Sequence, residues 1–213
     1  MAWIASTSLV VPVGAMAADL VLHHGFETCW STALSKPQFL DEMRQSIDGQ
    51  SGCIPRQSGS SSGIDYTICN VANGCGVGVA GCAVSLQASA FSGDFAAGSF
   101  SAPGTASNVT VPISLSVLGA CTLNISAITL TYAIDYLMRV DGTDGVYTDD
   151  MQVPVVDITS QSTSNNCNPL VANFLAVYVQ QAIVTAEASA AAAIEPELRS
   201  RTVERAICPL SAP

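Results

Sequence analysis

One long helical segment limits what this chain can fold into. It runs from Asn168 to Ile207, whereas the other long periodic stretches of the sequence have the two-residue period of strands. Asn168 is a favourable N-cap residue, and Pro169 suits the first helical position because no N–H is needed there. Apolar residues cover most of the helix circumference, so we predict that most of this surface is buried.

Two local features of this segment bear on its packing. Nearly every residue from Ala186 to Ala193 is alanine, so another surface can approach the backbone closely. Such a face either packs tightly or leaves room for a bound molecule. Pro196 removes a helical hydrogen bond and clashes with the preceding turn, which predicts an end or kink there and a second helix from Glu197 to Ile207.

Apolar and polar residues alternate in three runs between Cys82 and Tyr136, which is typical of strands with one buried face. The alternation changes phase near Ala127, and this predicts a β-bulge and a bend in a long strand. A turn at Asp141–Gly145 then predicts a hairpin whose partner strand runs from Val146 to Ile158.

The N-terminal part combines a short helix with loops. Residues 37–48 form an amphipathic pattern that Pro37 opens and Gly49 closes. The Ser- and Gly-rich composition of residues 50–63 predicts a loop, and so do the glycines of residues 70–81. No lysine follows those glycines in the way that a phosphate-binding loop requires.

At 213 residues the chain is long enough for one domain with its own core. Residues 1–17 are predicted to be a signal peptide, because an apolar run ends in Ala15-Met16-Ala17. Residues 18–82 hold the short helix and the Cys-, Gly- and Ser-rich loops, and residues 83–213 hold the sheet and the long helix of the same domain. The predicted fold class is α+β, with a bent antiparallel β-sheet packed on one long C-terminal α-helix and a short N-terminal helix.

Charge and cysteine content restrict the partners and the compartment. The net charge of −10, with Lys36 as the single lysine, argues against nucleic acid, since phosphate binding needs clustered basic residues. All 8 cysteines follow the predicted cleavage site, and an even set in an exported chain favours disulfides. The histidines are His23 and His24, so zinc-ligand spacing is absent. We therefore predict a secreted or periplasmic, disulfide-bonded protein without a cofactor.

A cluster of carboxylates surrounds the predicted hairpin turn. Its members are Asp141, Asp144, Asp149 and Asp150. Calcium prefers several oxygen ligands, but the residue order of an EF-hand loop is missing and Asp-Gly pairs are ordinary turn residues. An acidic turn without a metal is the preferred interpretation, and a calcium site is the alternative.

Catalysis and membrane insertion are both disfavoured. A Ser-His-Asp or Cys-His arrangement needs a histidine, and both histidines lie near one end of the chain. The uncharged run from Leu170 to Ala186 is barely long enough to span a membrane, and Asn173 and Gln180 would be costly in hydrocarbon. We expect neither an enzyme nor a stable membrane span.

The order of these elements resembles one half of a tubular lipid-binding (TULIP) domain, the superfamily of the bactericidal permeability-increasing protein. The resemblance runs from about Val84 to Cys208 and rests on a long bent sheet, the hairpin, a cysteine and an apolar helix ending in Ile207-Cys208-Pro209. It implies Cys121 or Cys167 as a sheet partner for Cys208. The length of the helix argues against Cys167, which leaves the sheet or the N-terminal segment as the partner.

In that family acyl chains lie between the sheet and the helix, so the resemblance implies a binding protein for an apolar ligand such as a lipid. The residues to which it assigns ligand contact are Phe174, Leu175, Tyr178, Ala182, Ile183 and Ala186. A helix wrapped by a sheet without a cavity would show the same pattern. The alternative function is therefore a structural or interaction protein of the cell envelope, and its protein partners are left open.

We predict that millimolar calcium leaves the melting temperature unchanged, because the acidic turn holds no ion. A bound ion would raise the melting temperature by mass action, and a chelator would reverse the effect. A rise that the chelator reverses would establish the calcium site instead.

Overall fold

The computed structural model describes residues 33–61, 63–141 and 144–208. The predicted signal peptide, His23 and His24 lie outside these residues. Within these residues there are two α-helices, α1 (Lys36–Ile47) and α2 (Ala172–Thr202), and a short 3-10 helix at Pro169–Val171 precedes α2. The described strands are β1 (Ser51–Pro55), β2 (Gln57–Ser61), β3 (Ile64–Ile68), β4 (Gly81–Ala88), β5 (Ser92–Asp94), β6 (Ser99–Ala106), β7 (Val109–Leu115), β8 (Gly119–Val140), β9 (Val146–Met151), β10 (Val155–Asn165) and β11 (Arg205–Ile207).

Strand β8 is the centre of the sheet. β6 and β7 follow each other along one edge of β8, and β10 and β9 follow each other along the opposite edge, all antiparallel to it. From β6 the sheet continues through β4 to β1, and from β7 it continues through β3 to β2. The sheet therefore has two arms, β6-β4-β1 and β7-β3-β2, which leave β8 at different points along its length.

The predicted bulge in β8 is confirmed. Ala127 has a positive φ of 51°, and the buried positions change from odd numbers, ending at Ile125, to even numbers, beginning at Ile128. β6 and β7 are interrupted opposite this point, at residues 107–108. The side-chain oxygen of Asn108 accepts a hydrogen bond from the Ala127 N–H at 3.3 Å. The two arms diverge at this irregularity, because the pairing with β8 breaks there.

The short N-terminal helix is confirmed, and it begins and ends one residue earlier than predicted, at Lys36 and Ile47. Ser35 and Gln38 form a capping box at the start of α1, and Gly49 adopts a φ of +83° after its end. Phe39 is fully buried, and its ring lies 5.5 Å from that of Tyr136. The α+β class is thus confirmed, with a large antiparallel sheet, a long C-terminal helix and a short N-terminal one. This is the architecture that the resemblance to half of a TULIP domain implies.

The prediction of a loop at residues 50–63 is wrong, since β1 and β2 lie there. β1 pairs with β4, and β2 pairs with β3 at the end of its arm. Ser58 and Thr67 place their hydroxyls 3.2 Å apart across the β2-β3 pair. The composition is polar because these strands are edge strands with solvent-exposed positions, and the pairing of β1 with β4 joins residues about 30 positions apart.

The predicted partner strand from Val146 to Ile158 is two strands. The hairpin forms as expected, and the Asp141 N–H donates to the Gly145 carbonyl at 2.9 Å. Residues 152–154 interrupt the strand, and Pro154 has no N–H to donate. β10 then continues along β8 well beyond the predicted end, to Asn165.

The helix does not end at Pro196, and the predicted second helix is absent from the described residues. α2 continues to Thr202, and residues 205–207 form β11 instead. Pro196 is exposed, while Ile194 and Leu198 on either side of it are fully buried and hold the helix on the core. Packing therefore outweighs the local cost of the proline.

One apolar line of α2 also departs from prediction, because it remains exposed. It consists of Leu170, in the 3-10 helix, with Val177 and Val184, and each is at least 60% exposed. The sheet and α1 cover only part of the helix circumference. No helix among the described residues is long and apolar enough to cross a membrane.

Three disulfides are described, Cys53–Cys75, Cys69–Cys82 and Cys121–Cys167. Cys69 follows β3 and Cys82 lies in β4, so this bond ties one arm of the sheet to the other. Cys208 is also disulfide-bonded. The suggested pairing of Cys208 with Cys121 or Cys167 is wrong, because those two cysteines bond to each other.

Arginines hold two of the carboxylates near the hairpin turn. Asp149 pairs with Arg139 at 2.8 Å, and Asp150 pairs with Arg199 of α2. The hydrogen bond from Arg199 lowers the pKa of the Asp150 carboxyl below its ordinary value. Among the described residues, no group of three or more His, Cys, Asp or Glu side chains is placed to hold a metal ion.

The Cys121–Cys167 disulfide bridges 46 positions and holds the start of α2 near the start of β8. We predict that replacing both cysteines by alanine lowers the free energy of unfolding by about 4 kcal/mol, because the unfolded chain regains the entropy of an open loop. Guanidinium unfolding measures this loss. Ser164→Ala, at an exposed position of β10, is the control. A double variant that loses no more than about 0.5 kcal/mol, like an ordinary surface substitution, contradicts the prediction.

Candidate functional site

An apolar cavity lies between the middle of α2 and the sheet. On the helix side its lining residues are Ala182, Ile183, Ala186, Glu187 and Ala190. On the sheet side they are Gly52, Ile54, Val84, Leu86, Ala106, Val109, Ile125, Ile128, Leu130, Val156, Ile158 and Gln161. Gln161 and Glu187 are the only polar side chains in this lining.

The bend of the sheet and the alanines of the helix create this cavity together. The bulge at Ala127 turns both Ile125 and Ile128 toward the helix. Ala106 and Val109, on either side of the break between β6 and β7, line the same space. The helix meets this bend with its small side chains, so neither surface fills the gap.

The cavity is small. It offers about 40 Å³ to the centre of a water-sized sphere, inside a groove of about 540 Å³ that is partly open to solvent. One water needs about 10–15 Å³ by the same measure, so the enclosed part holds a few waters. The rest of the groove volume is space shared with open solvent, so only the enclosed part is a cavity.

The predicted contact residues divide into two groups. Ala182, Ile183 and Ala186 line the cavity. Leu175 and Tyr178 are buried in the core beyond it, with 4% and 2% of their surface exposed. Phe174 packs against Tyr66, with 4.4 Å between the ring centroids. The start of α2, as far as Tyr178, is thus closed onto the sheet, and the cavity lies beside the middle of the helix.

The disulfide between the two arms closes the space beside the start of α2. The Tyr178 hydroxyl lies 4.0 Å from the sulfur of Cys69, which is bonded to Cys82. Burial raises the pKa of Tyr178 to about 12, since the phenolate would lose its hydration there. Tyr178 is therefore a neutral core residue over the whole physiological pH range.

The rim of the cavity carries two hydrogen bonds that join α2 to the sheet. Glu187 Oε1 accepts the backbone N–H of Ile158 in β10 at 2.9 Å. On the other side, Ser189 Oγ accepts the backbone N–H of Cys53 in β1 at 2.8 Å. In the sequence Asn173, Gln180 and Glu187 recur at seven-residue spacing on one side of the helix, which is typical of a water-facing line, and Gln180 is exposed. Glu187 instead bonds to β10, next to a register shift between Ile158 and Ser160.

β1 supplies a wall of the cavity that the sequence did not indicate. A Cβ atom at Gly52 would lie 3.5 Å from the Ala190 Cβ, so the strand and the helix are in contact there. The alanine run predicted such a close approach, but the loop assigned to residues 50–63 hid the partner. The signal available in the sequence was Gly52 beside two apolar residues, Cys53 and Ile54, in an otherwise polar segment.

No protein-family model and no curated protein matches this chain. The solved structure of Epiphyas postvittana Takeout 1 is similar over 81% of this chain and 94% of that chain, with 12% sequence identity and a TM-score of 0.34. A similarity at this level assigns no function, so the site is interpreted from its own residues.

Two alanines of the cavity should respond differently to enlargement. Ala190 is 3% exposed and contacts Gly52, so we predict that Ala190→Leu overpacks the interface and costs about 1–3 kcal/mol of unfolding free energy. Ala186→Leu places its added atoms in the cavity and should change the unfolding free energy by less than about 1 kcal/mol. Urea unfolding measures both values.

Ala188→Leu is the matched control, since Ala188 lies on the same helix and is exposed. It should have no effect beyond about 0.5 kcal/mol. If Ala186→Leu destabilises the protein as much as Ala190→Leu does, the space beside Ala186 is filled and the cavity is absent.

Proposed function

We propose that this chain is a secreted or periplasmic binding protein for an apolar ligand such as a lipid, held between the sheet and α2. The observation that carries the proposal is the apolar cavity where the bend of the sheet meets the alanines of the helix. Apolar atoms of a ligand gain about 25 cal/mol for each Å² removed from water, and the lining offers few polar groups that binding would desolvate. The described disulfides support export, because such bonds persist in oxidising compartments.

We further propose that the protein binds its ligand without catalysing a reaction. The polar side chains in the lining are Gln161 and Glu187, and Glu187 already accepts a hydrogen bond from the Ile158 backbone. General acid-base or nucleophilic chemistry needs a second reactive group aimed at the same substrate atom. The described lining residues supply no such group.

A ligand larger than a few water molecules requires α2 to move away from the sheet at its middle. The start of α2 is held by Cys121–Cys167. Its end is held by Thr202, whose carbonyl accepts from the Thr148 hydroxyl at 2.7 Å. The middle is held by small side chains and by the two rim hydrogen bonds. The proposal therefore includes a local separation in which the two ends of α2 stay in place.

The small enclosed volume favours a second candidate function, a structural or interaction protein of the cell envelope with no ligand. In that case the cavity is a packing defect of the kind that cores contain in small numbers. The exposed line of Leu170, Val177 and Val184 is compatible with this candidate. Whether a ligand accompanies the protein distinguishes the two functions.

We predict that protein purified from its natural host carries one lipid class at a reproducible, near-stoichiometric ratio. Organic extraction followed by mass spectrometry measures it. Ala188→Leu, at an exposed helix position, should carry the same lipid, whereas Ala186→Leu fills the cavity and should carry less than a tenth as much. Wild-type protein without bound lipid, together with no uptake of added apolar ligands, would establish the structural candidate.

A further inference from the structure

The rim of the cavity determines which head group an apolar ligand can carry there. This inference rests on the proposed function. We infer that the site selects an uncharged amphiphile whose head donates a hydrogen bond, such as a long-chain alcohol, and discriminates against the carboxylate of a fatty acid. The residues that determine this are Glu187 and Gln161, the polar side chains of the lining.

Glu187 has one carboxylate oxygen engaged and one available to a ligand. Oε1 accepts the Ile158 N–H at 2.9 Å, and this is the one hydrogen bond of the Glu187 side chain among the described residues. Oε2 on the same carboxylate therefore keeps its capacity to accept a bond from a ligand hydroxyl. A hydrogen bond to an ionised acceptor is stronger than one between neutral groups.

The surroundings of Glu187 exclude a second negative charge. The described lining contains no lysine or arginine, and the remaining lining side chains are apolar apart from Gln161. Both polar residues are partly buried, so water screens their charges and dipoles incompletely. A carboxylate head would face Glu187 across this apolar space without a cation to offset the repulsion.

Gln161 lies on β10 and Glu187 on α2, so the two residues approach the rim from opposite walls. The carbonyl of Gln161 is a further acceptor for a ligand hydroxyl, and its amide is a donor to the hydroxyl oxygen. A hydroxyl head therefore finds both an acceptor and a donor among the polar side chains of the lining. An ammonium head would gain attraction from Glu187 but would lose far more hydration on entering an apolar space.

The test compares decanol with sodium decanoate, which share their chain length and differ in the charge of the head. Displacement of the neutral dye Nile red from the full chain measures both affinities. Wild-type protein should bind decanol at least about tenfold more tightly than decanoate. Glu187→Gln keeps an acceptor for the Ile158 N–H and removes the charge, so the two affinities should become nearly equal.

Two further variants make the test specific. Asp157→Asn is the matched control, because it removes the same charge from β10 at an exposed position outside the cavity lining. This variant should keep the wild-type ratio of decanol affinity to decanoate affinity. Gln161→Glu adds a second carboxylate at the rim and should widen the ratio. It also tests the inference if Glu187→Gln fails to fold.

The outcomes separate this inference from the function on which it rests. Equal wild-type affinities for decanol and decanoate, or a wild-type ratio that Glu187→Gln and Gln161→Glu both leave unchanged, overturn the inference and leave the proposed function in place. If neither ligand displaces Nile red and no lipid accompanies the purified protein, the proposed function fails and the inference fails with it.

Discussion

The pairing of β8 on both of its edges is the constraint on which the rest of this structure depends. This strand has 22 residues and bonds to β6 and β7 on one edge and to β9 and β10 on the other. A bend in β8 is therefore a bend in the whole sheet. Ala127 adopts a left-handed conformation, which costs about 1 kcal/mol for a residue with a side chain, and the pairing on both sides together with Asn108 holds it there. The bend separates the two arms, and the cavity lies directly over it.

The parts of the fold that the sequence predicted are those set by local patterns. The bulge at Ala127 is visible because a one-residue insertion shifts every later side chain to the other face of the strand. α1 is visible because Pro37 near its start and Gly49 after its end are local signals. β1 and Pro196 show the opposite case. The pairing of β1 depends on β4 and α2, and the tolerance of Pro196 depends on which face of α2 is exposed. Neither dependence can be derived from the composition of the segment itself.

The candidate site was predicted on one wall only. The apolar face of α2 contains Ala182, Ile183 and Ala186, and these line the cavity. Phe174, Leu175 and Tyr178 lie on the same helix, but whether a residue faces an opening depends on the sheet opposite it. There the Cys69–Cys82 bond and the Tyr66 ring close the space. Residues of the sheet wall come from six different strands, and no periodic pattern in the sequence connects them.

The two rims of the cavity differ in how strongly they are held, and this difference sets the direction in which α2 can separate from the sheet. On the β1 side, Ser189 bonds to Cys53, which is cross-linked to Cys75. β1 therefore cannot move far unless the segment around Cys75 moves with it. On the β10 side, Glu187 bonds to Ile158 at a register shift, where the strand is already less regular.

Breaking the bond between Glu187 and Ile158 costs on the order of 1.5–3 kcal/mol, because it involves a charged group. Each methylene group of a ligand that enters an apolar space gains about 0.8 kcal/mol, so a few methylenes offset the loss. Opening between α2 and β10 is thus the least costly way to enlarge the cavity, and it leaves the carboxylate of Glu187 at the entrance, where an arriving ligand meets it first.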